Sequence, residues 1–348
     1  MITMQKQARI KWIDVAKGIL IVFVVLQHLP IIAEVSGISH GGVGVIGKAS
    51  FLFGSFYMQA FFIITGYCSN FHKSFKDIFV TSIKTILIPA FFFSIFYYLA
   101  LAILYSDLNY LEEIIEWDYL ILGFKKFWFL DALFLLRITY WFRVQYVKDD
   151  IIGGAIFLML LILGVYMFET YRNIGIKDIG TYHNPFFYRQ ALINGIFMWF
   201  GDMLRKHSHS HKAFMWSGVI YLFIIFFLKT NSIYIPGSNF STSMNVADIP
   251  LHLVLAIGGS LGIFYLASLI KNIQIIEYLG KNSLVVYVSH FTIVRYVYYF
   301  SSPFLKIGSS VLLGCIYDLL VLIISLLLCS VTVKLFSMKY LKVCLGKI

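Results

Sequence analysis

Charge is what this sequence has least of. Asp, Glu, Lys and Arg make up 13% of its 348 residues and hydrophobic residues 60%, against about 25% charged in soluble domains. That shortage excludes an ordinary soluble enzyme. Cysteine is scarce too, with Cys68, Cys315, Cys329 and Cys344 in or beside apolar segments and without metal-ligand spacing, so neither a disulfide framework nor a metal site is expected. The first apolar segment lacks a small-residue cleavage site and carries Asp14 and Lys17 within its own start, which argues against a removable signal peptide.

What the sequence has instead is apolar length. Runs of 17 or more apolar residues recur from end to end, each able to cross a hydrocarbon core of about 30 Å as a helix. The run from Ile151 to Phe168 shows none of the alternation that a membrane strand requires. The fold class expected is all-α, a polytopic transmembrane bundle of about ten helices. They are placed near 13–35, 49–71, 80–105, 127–146, 151–168, 188–206, 213–229, 247–270, 282–300 and 308–336. No soluble domain interrupts them, so residues 1–348 read as one membrane-embedded domain.

The net charge of +11 lies in particular loops. Lys6, Arg9 and Lys11, then Lys73 and Lys76, Lys148, Arg205 to Lys212, Lys271 and Lys281, and Lys339 to Lys347 fall on one side of the alternation. The segment from Asp107 to Lys126 holds Asp107, Glu112, Glu113, Glu116 and Asp118, with Lys125 and Lys126 at its end. By the positive-inside rule both termini of a multi-pass membrane protein are expected in the cytoplasm. The charge therefore points to topology and not to nucleic acid. Trp12, Trp117, Tyr119 and Trp128 near helix ends read as interfacial anchors, and His207, His209 and His211 as a solvated basic loop.

Ionisable residues inside apolar segments carry a functional hypothesis by default, because a charge in hydrocarbon costs at least about 2.5 kcal/mol. The first helix reads Trp12-Ile13-Asp14-Val15-Ala16-Lys17-Gly18 and ends in Gln27-His28-Leu29-Pro30. Lys17 and His28 are separated by about three turns, or about 16 Å of rise, and so share one stripe. Asp14 falls near it and is placed to pair with Lys17. A neutral histidine can take a proton from a hydroxyl, while a lysine can attract phosphate or stabilise developing negative charge. A snorkelling lysine and a histidine bonded to a neighbouring helix would fit the same spacing.

Further along come Phe61-Phe62-Ile63-Ile64-Thr65-Gly66-Tyr67, whose glycine permits close helix approach, and Lys84 with Pro89, where a kink is expected. Trp128-Phe129-Leu130-Asp131 opens one helix, and Gly280-Lys281-Asn282-Ser283-Leu284 precedes Tyr287 and His290 in another. Asn282 or Ser283 is expected to cap that last helix.

This ordered set resembles the acyltransferase 3 family, membrane O-acyltransferases of bacterial surface glycans, and especially its members related to fucose 4-O-acetylase. The resemblance rests on the opening motif with His28, on Phe62 to Tyr67, on Trp128-Phe129-Leu130, and on Asn282-Ser283-Leu284 with Tyr287 and His290. Lys17 and His28 match the family's pattern of a basic residue, ten residues, then histidine, with lysine where many relatives have arginine. The resemblance implies that His28 is catalytic, that Lys17 supports the site or binds donor, that the donor is a cytoplasmic acyl-coenzyme A, usually acetyl-coenzyme A, and that the acceptor is a glycan or its lipid-linked precursor. Some relatives carry a further hydrolase-like domain; here transfer is expected to be completed in the membrane or by a separate partner.

The site expected on this basis has His28, Lys17 and Asp14 in the chemistry, Lys17, Lys84 and Lys281 on the donor, and Trp128, Tyr287 and His290 on the substrate. Tyr287 and His290 would donate to the oxyanion, and Asp14 would orient or neutralise Lys17. Direct transfer and an acyl-histidine intermediate both remain open. No permanently bound cofactor, metal or nucleic acid is expected; partners would be membrane lipid, a second copy of the chain, or glycan-synthesis proteins. Two other readings use the same scaffold, a glycan exporter or flippase and a non-catalytic partner of a glycan synthase, and the Lys17–His28 spacing favours an enzyme over both.

Overall fold

The computed structural model describes residues 10–38, 45–46, 49–115, 123–124, 126–174, 184–207, 210–236, 244–270, 273–304 and 310–346, without the side chains of Glu113 and Ile115. Lys6, Arg9, Glu116, Trp117, Asp118, Tyr119, Lys125, His209, Lys271 and Lys347 lie outside the described residues. Among the described residues there is no strand. The helices are α1 (Lys11–Val35), α2 (Tyr57–Cys68), α3 (Phe75–Tyr105), α4 (Trp128–Tyr146), α5 (Asp150–Asn173), α6 (Tyr188–Lys206), α7 (His211–Thr230), α8 (Ile249–Leu269), α9 (Gln274–Lys281), α10 (Ser283–Ser301) and α11 (Val311–Phe336).

The protein is thus an all-α helical bundle, and seven helical segments are long and apolar enough to cross a membrane. These are α1, Ser50–Cys68, α3, α5, α7, Val246–Leu269 and α11. The sequence also placed spans at α4, α6 and α10. Each is 19 residues long, but α4 carries Asp131, Arg137 and Arg143, α6 carries Arg189, Asp202, Arg205 and Lys206, and α10 is rich in tyrosine and serine. Several of their polar residues turn inward: Asp131, Arg143, Arg189, Asp202 and His290 are all buried.

Local chemistry explains most of the boundaries. Ser74 caps α3 by accepting the Asp77 N–H at 3.1 Å, so the helix starts five residues before the expected position. Ahead of Pro89, where a kink was expected, residues Ile83–Leu87 form a π turn, which widens the ladder where proline has no N–H to give. Asn282 does not cap α10 as expected. Its amide donates back to the Tyr278 carbonyl at 2.9 Å, closing α9, a short helix within what the sequence alone marks as the loop before α10.

Glycines set two close crossings. A Cβ on Gly66 would collide with the Met198 carbonyl of α6, and one on Gly201 with the Ile63 carbonyl of α2, so the close approach expected at Gly66 is made between α2 and α6. Gly280 of α9 presses on the Asp14 carbonyl in the same way, and Gly18 on Ile276. The opening motif and the Gly280-Lys281-Asn282 motif therefore interlock backbone to backbone.

One end of the bundle, where Lys11 begins α1, is tied by charge. Asp202 of α6 accepts from the Tyr140 hydroxyl at 2.9 Å, pairs with Arg205, and lies 3.2 Å from Lys206 and 3.8 Å from Arg143. Asp150 of α5 pairs with Arg143 at 2.5 Å and with Lys206 at 2.8 Å. Arg205 also donates to the Ser69 carbonyl at the end of α2.

Candidate active site

Lys17 sits on the inner face of α1, with its ammonium 3.3 Å from the buried carboxylate of Asp14, the pairing that the spacing of three predicts. Beside it is a cavity of about 220 Å³ between α1, α2, α3, α4 and α10, lined by Lys17, Arg137, Thr65, Thr85, Ser283 and Tyr287 among mostly apolar neighbours. Arg137 was not singled out from the sequence, although a lone arginine in Phe134-Leu135-Leu136-Arg137-Ile138 meets the rule that flagged Lys17. Its Nε is buried without a hydrogen-bond partner. Two cations thus face one cavity, and Lys17 has the Asp14 carboxylate beside it.

Tyr287 closes this cavity. Its ring packs on Phe127 and Phe129, with centroids 6.0 and 5.5 Å away, and its hydroxyl is hydrogen-bonded to the Phe129 backbone. This is the work of the Trp128-Phe129-Leu130-Asp131 motif. Asp131, fully buried, accepts the Phe124 N–H at 2.6 Å and pins the approach to α4, while Phe129 holds the tyrosine. Trp128 itself is half-buried and stands outside the cavity lining.

One turn beyond Tyr287 lies His290, its ring 6.0 Å from that of Tyr287 and 5.1 Å from that of His28. Phe291 packs on both imidazoles, at 4.5 Å from His28 and 4.8 Å from His290. His28 Nδ1 is 2.7 Å from the Val24 carbonyl, and His290 Nδ1 is 2.6 Å from the Tyr287 carbonyl. A carbonyl only accepts, so both protons sit on Nδ1 and both Nε2 atoms present a lone pair. His290 Nε2 is buried and has no hydrogen-bond partner. In this tautomer His290 is a second acceptor and cannot give the proton expected of it as an oxyanion donor; Tyr287 keeps that capacity.

The structure does not bring the other two lysines to this place. Lys84 is exposed on the π turn of α3, and its neighbours Thr85 and Ile86 line the cavity instead. Lys281 is exposed on α9 and pairs with Glu277 at 2.5 Å. Among the described residues no group of three or more His, Cys, Asp or Glu is placed to hold a metal.

A cation-lined cavity inside the helical bundle thus ends on Tyr287, behind which the imidazoles of His290 and His28 face each other. The sequence model of the acyltransferase 3 family, described as an acyltransferase domain, matches residues 10–334, and the chain belongs to that family. It is a membrane acyltransferase that transfers groups other than aminoacyl groups. Neither a curated protein nor a solved structure matches the chain.

Proposed function

We propose that the protein moves an acyl group, in the first instance acetyl, from acyl-coenzyme A to a hydroxyl of a cell-surface glycan or its lipid-linked precursor. The observation that carries this reading is the continuity of the site. The cavity between Lys17 and Arg137 ends on Tyr287, and the Tyr287 ring adjoins His290, which faces His28. Donor phosphates would be drawn to Lys17 and Arg137, with Asp14 fixing the lysine. The thioester would then extend toward Tyr287.

His28 Nε2 takes the proton of the acceptor hydroxyl as its oxygen attacks the thioester carbon. The Tyr287 hydroxyl donates to the resulting oxyanion. Collapse breaks the carbon–sulfur bond, and the imidazolium returns its proton to the coenzyme A thiolate. His290, with its own Nε2 free of other partners, accepts from the sugar and orients it. The end of the bundle bearing Lys11, Arg205 and Lys206 is placed in the cytoplasm, in keeping with the positive-inside rule, so donor enters there and acceptor from the opposite end. In purified protein supplied with acetyl-coenzyme A and glycan, His28→Ala is expected to stop donor consumption. Undiminished consumption by that variant would refute the reading.

A further inference from the structure

A second cavity, of about 260 Å³, opens at the same end of the bundle, walled by Trp12, Tyr67, Phe214 and Phe264 with Arg205 and His211. Trp12 and Tyr67 come from two motifs in which the transfer chemistry uses other residues. They meet edge to face with centroids 5.6 Å apart, and Phe264 lies 5.5 Å from the same indole. Trp12 was expected as an interfacial anchor, yet it is half-buried as a cavity wall.

The two cavities adjoin, since Ile64 of α2 lines both. Ile64 thus forms a rim between them, with Arg205 lining one cavity and Lys17 the other. Positive charge is in surplus on the far side of that rim, where Arg143, Arg205 and Lys206 share the two carboxylates Asp150 and Asp202. Arg205 spends donors on Ser69 and Asp202, and a guanidinium with five N–H groups retains others.

We propose that this aromatic cavity holds the nucleotide end of the donor. The adenine lies against Trp12 and its aromatic neighbours, the ribose phosphate on Arg205 and His211, and the chain crosses the rim at Ile64 so that its diphosphate meets Lys17 and Arg137. Every base has a π face and stacks on aromatic side chains without needing sequence-specific hydrogen bonds, whereas a lipid tail would gain nothing from the arginine and histidine. This inference rests on the acyl-coenzyme A reading and names the subsite that would recognise the donor's non-reacting end.

The test measures binding of acetyl-coenzyme A to the purified full-length protein in lipid nanodiscs, with adenosine 3′,5′-bisphosphate as competitor. The fragment is expected to displace the donor. Trp12→Leu should weaken the fragment about tenfold, the scale of one lost base–aromatic stack, and Trp12→Phe should restore most of that loss. Should Trp12→Leu fail to insert, His211→Ala, an exposed position at the start of α7, is read in its place, with a several-fold weakening expected. Acetyl-coenzyme A binding that the fragment does not displace, or fragment binding indifferent to these substitutions, overturns the inference and leaves the donor reading in place. Absence of acetyl-coenzyme A binding overturns both.

Discussion

The imidazoles of His28 and His290, from α1 and α10, face each other with centroids 5.1 Å apart, and each commits its Nδ1 proton to a carbonyl of its own helix. Neither ring is free to turn without losing that bond. The lone pairs on Nε2 are therefore fixed in direction before any substrate arrives, which is what a general base needs if it is to act without reorganisation.

His28→Asn separates the two nitrogens of that ring. An asparagine amide can keep a hydrogen bond to the Val24 carbonyl but offers no base. The expected outcome is a protein that inserts and unfolds as the unaltered one does, because one polar contact is worth about 1 kcal/mol, while transfer falls about 100-fold to 10,000-fold. His28→Gln should be nearly as inactive. Substantial transfer to the glycan by either variant, in a coupled assay for coenzyme A release, would make His28 a structural residue.

Arg137→Gln probes the second cation of the donor cavity. Losing a charge-assisted contact worth about 1.5–3 kcal/mol should raise KM for acetyl-coenzyme A at least about tenfold. The increase should shrink as salt is added, because added ions screen the attraction in unaltered protein as well. Lys17→Gln should behave alike, provided that Asp14 is changed to Asn in the same chain so that no buried carboxylate is stranded. A loss independent of salt would assign Arg137 to packing.

How much of this could be read from the sequence depends on whether a feature belongs to one helix or to two. The apolar runs, the Asp14–Lys17 pair and the use of Gly66 follow from periodicity within a single element, and the structure shows each. Which way a helix is rotated in the bundle does not follow. Lys17, Lys84 and Lys281 looked equivalent as cations near helix ends, but packing turns Lys17 into a cavity and leaves the other two in the open. The interlock of Gly18 and Gly280 across α1 and α9, and the meeting of Trp12 with Tyr67, are likewise relations between segments far apart in the chain. Arg137 is different. Its signal was present in the sequence as a charge inside an apolar run.

Orientation in the membrane has its own test. With single cysteines introduced in a cysteine-free background, a thiol at Asp107 should react with an impermeant maleimide from outside intact cells, and one at Lys212 only after the membrane is opened. The reverse pattern would invert the bundle and place the donor cavity on the wrong side for a cytoplasmic thioester.

The charge cluster between α4, α5 and α6 predicts a stability difference between two of its members. Asp202 is almost wholly enclosed and serves Tyr140, Arg143, Arg205 and Lys206 at once. Asp202→Asn keeps an acceptor for the tyrosine but removes the charge facing Arg143, whose side chain is 5% exposed. Stranding a buried cation costs about 3–5 kcal/mol, and Asp150, 2.5 Å from the same guanidinium, offsets part of it, so the lower end of that range is expected. Lys206 touches the same two carboxylates but is 34% exposed, and solvent already screens its charge; Lys206→Ala should cost no more than about 1 kcal/mol. Thermal unfolding of the two variants in the same detergent should therefore show a clear drop for Asp202→Asn and little change for Lys206→Ala. Equal drops would mean that the cluster acts as one exposed network in which burial of Arg143 plays no special part.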